Sequence, residues 1–248
     1  TTGIINASSI TTLTGSDSDQ ATVRASSGIS GLPVSINQIT ISAAQVDSFI
    51  ANPSTFLGYR SGIPVIVAGA ISHTQASALN SVDATYIQAS IAETSIANLS
   101  TIVVNNATRT SLNRFSFDVS DTSATAVELN NIIAKTSVAV DLINVGAIEA
   151  SNSAAITTLY TATTFGLGNE TISVSDTTIN AKALNDIDGY TTGVVNASSV
   201  NTITGTAAEV IAAYAANSTA NINGLGNEAV TISDTTINAK ALNDINGY

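Results

Sequence analysis

The sequence predicts a tandem-repeat solenoid of strand-turn-short-helix coils, a β-rich α/β array, with a globular α/β domain as the alternative. Three observations lead there: long internal copies, helix-start signatures at near-regular spacing, and a composition able to build a core only from many small pieces. Residues Gly166 to Tyr190 read GLGNETISVSDTTINAKALNDIDGY, and Gly224 to Tyr248 read GLGNEAVTISDTTINAKALNDINGY, displaced by 58 positions with five differences. Thr1 to Gly15, TTGIINASSITTLTG, matches Thr191 to Gly205, TTGVVNASSVNTITG, with Ile and Val exchanging. Self-similarity at a fixed period means stacked units in space.

The 58-residue unit divides into two halves, each strand, turn and short helix. In the first, Val194, Val195, Val200 and Ile203 surround Ala197-Ser198-Ser199, and Thr206 with Glu209 forms a capping box before AAEVIAAYAAN. The hydroxyl accepts a first-turn amide while the carboxylate reaches back to the cap. In the second, Val230, Ile232 and Ile237 flank Ser233-Asp234-Thr235, then Asn238 caps AKALNDI and Gly247 ends it. The same grammar extends into the divergent coils, residues 31–165: Ser42 with Gln45, Ser72 with Gln75, and Thr125 with Glu128. Further helix starts are expected near Ser16, Ser153 and Asn180, with a poorly marked one near Asn98. A spacing of about 26 to 32 residues predicts about nine coils of about 28, in one continuous array over 1–248 that is stabilised by stacking. At about 4.8 Å per coil the array would be roughly 43 Å long. The globular alternative lacks a glycine fingerprint and helices long enough to cover a sheet.

NDIDGY at 185–190 runs directly into TTGVVNASS, and the chain's last residues, NDINGY, match that context. The phase therefore reads on from residue 248 into another copy of residue 1, as expected of a slice of a longer array. The chain has no Met, and no segment resembles a secretion leader.

Acidic residues outnumber basic ones 18 to 7, for a net charge of −11. That disfavours nucleic-acid backbones and anionic membranes as partners. With 44% apolar residues and 10% charged, the chain is not of the disordered type. No run is long enough to insert in a membrane. The absence of Cys removes disulfides, thiolate ligands and thiol nucleophiles.

Catalysis finds little footing. His73 is the sole histidine, so a zinc set or a triad lacks members, and a place on an exposed helix surface is expected. The carboxylates are scattered over turn and cap positions rather than paired. No cofactor is required; calcium is the one ion with candidate ligands, Asp121, Asp176 and Asp234, each in a recurring Ser-Asp-Thr turn after a strand. Asx-turns account for the same aspartates without metal. The Asn185 to Gly189 run resembles part of a calcium loop, but its copy replaces Asp188 with Asn246. GLGNE lacks the Lys and Ser/Thr of a phosphate loop and reads as a turn between coils. Thr-x-Thr pairs at Thr12/Thr14 and Thr202/Thr204 are too sporadic for an ice-binding face. Tyr59, Tyr86, Tyr160, Tyr190, Tyr214 and Tyr248 sit near helix ends, as a sugar-binding ladder or as seams with their hydroxyls at the rim.

The runs TTGVVNASSVNTITGTAAEV and AVTISDTTINAKALNDINGY resemble the degenerate tandem repeats of giant secreted and cell-surface proteins of cyanobacteria and other marine bacteria. Similar runs appear in phage fibres. The resemblance covers about a third of the chain and carries over no functional residue. It implies an extracellular or cell-surface structural or adhesive protein, not an enzyme. Its partner would be itself, end to end, as a homopolymer or as continuation of the same long chain, in a filament or surface layer. The alternative is a ligand-binding solenoid such as a phage receptor-binding fibre, with cell-surface glycans as partner and a divergent binding patch in residues 60–120; glycan binding lost on changing Tyr59, Arg60 or Arg114 would favour it.

Overall fold

The computed structural model describes residues 4–10, 19, 22–23, 26, 28–30, 38–56, 59, 62–104 and 111–248. Expectations at Thr12, Thr14, Ser16, Arg60 and part of the 1–15 copy lie outside them. The chain forms an α/β fold of parallel sheets in two compact units, Thr1–Asp118 with Ala134–Ala139, and Val119–Ile133 with Val140–Tyr248.

In the first unit, β1 (Ile5–Asn6) pairs in parallel with β2 (Ile29–Ser30). A four-stranded parallel sheet follows in chain order, interleaved with helices: β3 (Ile39–Ser42), α1 (Val46–Ala51), β4 (Val65–Ile71), α2 (His73–Ala78), β5 (Ile87–Ile91), α3 (Ile96–Ser100) and β6 (Arg114–Ser116). Alternation sets the faces. Ile87, Ala89 and Ile91 of β5 are buried while Gln88 and Ser90 are exposed, so β5 presents one apolar and one polar row. Phe49 of α1 is fully buried and meets Phe56 and Tyr59 edge-on, with centroids 5.0 and 5.3 Å away.

The second unit runs β7 (Ser123–Thr125), α4 (Ala126–Ile133), β8 (Val140–Asp141), β9 (Ala147–Ser151), α5 (Ser153–Thr161), β10 (Thr164–Phe165), β11 (Thr171–Val174), β12 (Thr178–Asn180), α6 (Ala181–Asp188), β13 (Val195–Asn196), β14 (Thr202–Gly205), α7 (Ala207–Ser218), β15 (Ile222–Asn223), β16 (Ala229–Ile232) and α8 (Ala239–Asn246). Its strands form parallel sheets in the orders β15-β13-β11-β9-β7 and β12-β14-β16, with β8 paired to β10. Each of α4 to α8 packs against the next. Buried Leu129, Ile132, Ile156, Leu159, Leu184, Ile187 and Val210 give these helices their inward stripe. Each such side chain contributes about 1.5–3 kcal/mol on burial.

The pairing steps reach below the expected 26 to 32 and otherwise stay at its short end. Ile39 pairs with Val65, Val65 with Ile87, Thr178 with Thr202 and Thr202 with Ala229, which are steps of 26, 22, 24 and 27. Helix starts lie where the capping signatures put them. Capping boxes form at Ser42/Gln45, Ser72/Gln75 and Thr206/Glu209, and Thr125 exchanges the same bonds with Glu128. Asn180 and Asn238 cap α6 and α8. The cap of α5 is Asn152, one residue before Ser153, and the weak start near Asn98 is capped by Ser95.

Candidate functional site

Two of the three Ser-Asp-Thr aspartates, Asp176 and Asp234, finish helix starts. Asp176 Oδ2 accepts the Ser153 amide at 2.6 Å, and Asp234 Oδ2 accepts the Ala207 amide at 2.7 Å. Each carboxylate thus takes the first orphan N–H of a helix one pairing step earlier, where the helix dipole favours negative charge. Two other positions follow the rule: Glu93 Oε2 accepts the His73 amide at 2.8 Å, and Ser151 Oγ the Ala126 amide at 2.8 Å. Asp121 lies two residues ahead of β7. Among the described residues no group of three or more His, Asp or Glu side chains converges on a metal-sized site. His73 is half-buried rather than exposed, with Nδ1 3.3 Å from Glu93 Oε1. That is ion-pair range without hydrogen-bond geometry, which leaves Nδ1 without a hydrogen-bond partner. Asp186, in the run resembling a calcium loop, pairs with Lys182 at 2.6 Å, while burial pushes the Asp188 carboxyl up. Loss of that charge in Asn246 fits a position where charge is costly.

The copies are organised around a clasp between GLGNE and TTG. Gly168 has φ +132°, a backbone state that a side chain would strain, and it turns the chain so that its amide donates to Glu170 Oε2 at 2.8 Å. The buried Glu170 carboxylate also accepts the Asn169 amide and the Tyr160 hydroxyl. On its far side, Thr191 Oγ1 donates to the Glu170 carbonyl at 2.6 Å and accepts the Gly193 amide at 2.9 Å. A Cβ on Gly193 would lie 2.7 Å from the Glu170 carbonyl carbon, so only glycine lets β13 seat against β11. Tyr190 stacks on Tyr160 with centroids 4.9 Å apart and planes 10° off parallel.

In the second copy the first half of the clasp is repeated. Glu228 accepts the Gly226 amide at 2.9 Å and the Tyr214 hydroxyl at 3.0 Å, and Tyr248 stacks on Tyr214 at 5.2 Å. Burial, reinforced by the Glu228 carboxylate, pushes the Tyr214 hydroxyl up to about 12. Among the described residues the outer half has no counterpart in this copy. β11 lies between β9 and β13, whereas among the described residues β16 pairs with β14 alone. Ile172, Val174, Ile179, Leu184 and Ile187 are buried, but their counterparts Val230, Ile232, Ile237 and Ile245 are half-buried, and Leu242 is 46% exposed. β1 is the complement. Its hydrogen bonds match those of β13: Ile5 N to Gly28 O and Ala7 N to Ser30 O mirror Val195 N to Asn221 O and Ala197 N to Asn223 O. Yet Ile5 is 52% exposed where Val195 is fully buried.

A third feature lies in the first unit, within the 60–120 patch expected for a ligand-binding solenoid. Gln88 pairs with Arg114 and Ser90 with Ser116 across β5 and β6, so the exposed rows of both strands align. They line an open cleft of about 700 Å³ with Ser137 and Val138, floored in part by Val67 and Ala89. The Arg114 guanidinium lies 4.2 Å over the Tyr86 ring. Tyr59 is elsewhere, packed on Phe49 with its hydroxyl donating to the Asp83 carbonyl at 2.9 Å.

No protein-family model, curated protein or solved structure matches the chain. Sequence reasoning missed the partnership of Thr191 and Gly193 with Glu170. Its signal was the recurrence of TTG immediately after a GLGNE-containing copy. It also missed the caps that cross from one pairing step to the next, whose signal at three helix starts, His73, Ser153 and Ala207, was an acidic residue 20, 23 and 27 positions later.

Proposed function

We infer that the chain is part of an extracellular structural or adhesive repeat solenoid whose copies join head to tail. The observation that carries this reading is the half-formed clasp at Glu228: its internal counterpart at Glu170 is completed by a TTGVVN strand, and residues 1–6 spell TTGIIN. The proposed joint places β1 of one copy on β16 of another, with Thr1 on the Glu228 carbonyl and Gly3 in the position of Gly193. It buries Ile5 and Leu242, two large apolar side chains that are 52% and 46% exposed in the structure. It also pairs a strand edge that would otherwise be a liability. A contact between two different patches of one molecule propagates into rings or open filaments rather than stopping at a dimer.

Further support for the solenoid comes from the parallel pairing at steps of 22 to 27 residues and from the neighbour-to-neighbour packing of α4 to α8. Adhesion and a surface location rest on the sequence resemblance. Among the described residues no helix is long and apolar enough to cross a membrane.

The test is mass as a function of concentration, by light scattering on the 248-residue chain. The wild type should rise above the 25.0 kDa monomer as concentration increases. Gly3→Val, which puts a side chain where the joint has no room, should remain at monomer mass with an unchanged circular dichroism spectrum. A wild type that stays monomeric at millimolar concentration, or a Gly3→Val chain that associates equally well, overturns the reading.

A further inference from the structure

We propose that the cleft over β5 and β6 binds a carboxylated saccharide, with the carboxylate on Arg114. This site is in the first unit and does not depend on whether copies join head to tail.

The first argument is charge. The described basic side chains of this acidic chain are otherwise occupied: Lys182 and Lys240 pair with Asp186 and Asp244 at 2.6 Å, and Lys135 Nζ donates to the Ile102 carbonyl. Among the described residues no carboxylate lies within ion-pair distance of Arg114. A cation left unpaired in a chain of net charge −11 is open to an anion from outside. Its fork is also preorganised. Lying against Tyr86, the guanidinium has given up much of its rotamer freedom before any ligand arrives, so a bidentate carboxylate costs less to capture.

The second argument is the rest of the lining. Ser90 and Ser116 bring two exposed hydroxyls and Gln88 an exposed carboxamide to the same opening as Arg114, and Ser137, whose Oγ donates to the Asn113 carbonyl at 3.3 Å, adds an acceptor. Ser90 and Ser116 sit opposite each other on neighbouring strands, about 4.8 Å apart. That is the span across one pyranose ring. Val138, 38% exposed, gives the apolar C–H face of a sugar something to rest on. An open cleft of about 700 Å³ suits a few sugar rings better than an enclosed drug-like ligand. Among the described residues Arg114 is the only charged one in the lining, which matches one carboxylate per recognised ring. Polyphosphates and nucleic acids would need several cations and would face the net negative charge.

The experiment is calorimetric or NMR titration of the full chain with trigalacturonate. Galactotriose serves as the neutral counterpart, acetate as the bare carboxylate, and a short peptide with a free C-terminus as the competing class. Saturable binding of trigalacturonate alone is expected, weakening with salt and falling about tenfold or more in Arg114→Gln, the loss of one bidentate charged pair. Arg114 is exposed, so the variant should fold as the wild type does; Ser116→Leu, which fills the cleft from the other strand, should weaken binding independently. The proposal is overturned by absence of saturable binding, by equal affinity in Arg114→Gln, by galactotriose or acetate binding as well, or by the peptide binding more tightly.

Discussion

Thr191 Oγ1 donates a 2.6 Å hydrogen bond to the carbonyl of Glu170, 21 positions earlier. The bond fastens a repeat to the one before it, and it works only because Gly193, two residues on, brings no side chain to the same carbonyl.

Gly193→Ala should therefore be costly although alanine is the mildest of changes. Its methyl group would overlap main chain that cannot swing aside, and overpacking of this kind costs about 1–3 kcal/mol. Urea denaturation should show the midpoint falling with little change in slope. Thr191→Val keeps the shape and loses the bond, for about 1 kcal/mol. An alanine variant as stable as the wild type would remove the close approach from the account.

The aspartates of the Ser-Asp-Thr turns are expected to behave as caps. Asp176→Ala and Asp234→Ala should each lower stability by about 1 kcal/mol, while Asp176→Asn, which keeps an acceptor oxygen, should recover most of it. Millimolar calcium distinguishes the ligand role proposed for Asp121, Asp176 and Asp234 from capping. Capping predicts an unfolding temperature unmoved by calcium, whereas a rise lost in the double alanine variant would assign the carboxylates to the metal.

Acid should erode two other helix starts, those of α2 and α4. The Thr125 amide and then its hydroxyl hold the Glu128 carboxyl below its ordinary 4.5. For Glu93 burial pulls upward, but the His73 amide, its own amide and the imidazole outweigh it, and the net shift is also downward. A carboxyl depressed in the folded state stabilises above its unfolded value, and that contribution disappears as pH falls through the folded value. Stability should hold down to about pH 4.5 and decline below it. Glu128→Gln should flatten part of that decline, and denaturation followed by circular dichroism across the acid range measures both.

At the other extreme, Tyr214 should resist ionisation. Its hydroxyl is pushed up to about 12, so its contribution to stability is complete below about pH 10 and is lost between there and 12. Difference absorbance between the wild type and Tyr214→Phe isolates this phenol, and Glu228→Gln should bring its midpoint down. A midpoint near 10 in the wild type would show that Tyr214 is neither buried nor bonded to Glu228.

The helix starts were legible because their signals are local: a hydroxyl or amide at the cap and an acceptor three residues on, as at Thr206 and Glu209. The strands were legible as short β-branched runs such as those at Val195 and Ile203. Distance in sequence hid the rest. Nothing adjacent to Ala207 says that Asp234 will take its amide, and nothing adjacent to Glu170 says that Thr191 will fasten to it. The pairing step was overestimated because helix starts shift along the chain as helices lengthen, from the five residues of α3 to the twelve of α7, while strand partners keep a tighter interval. Tyr59 could not be told from a ligand-facing tyrosine, since its edge-on contact with Phe49 depends on how α1 folds back.

The crossing caps also set an order for synthesis. The first turn of α7 cannot be completed when Ser218 leaves the ribosome; it waits for Asp234, 27 residues after the amide it caps. At the helices starting at His73, Ala126, Ser153 and Ala207 a growing chain therefore carries an unfinished helix start until the capping segment emerges. Truncation would be felt upstream of the cut, in a helix whose own sequence is intact.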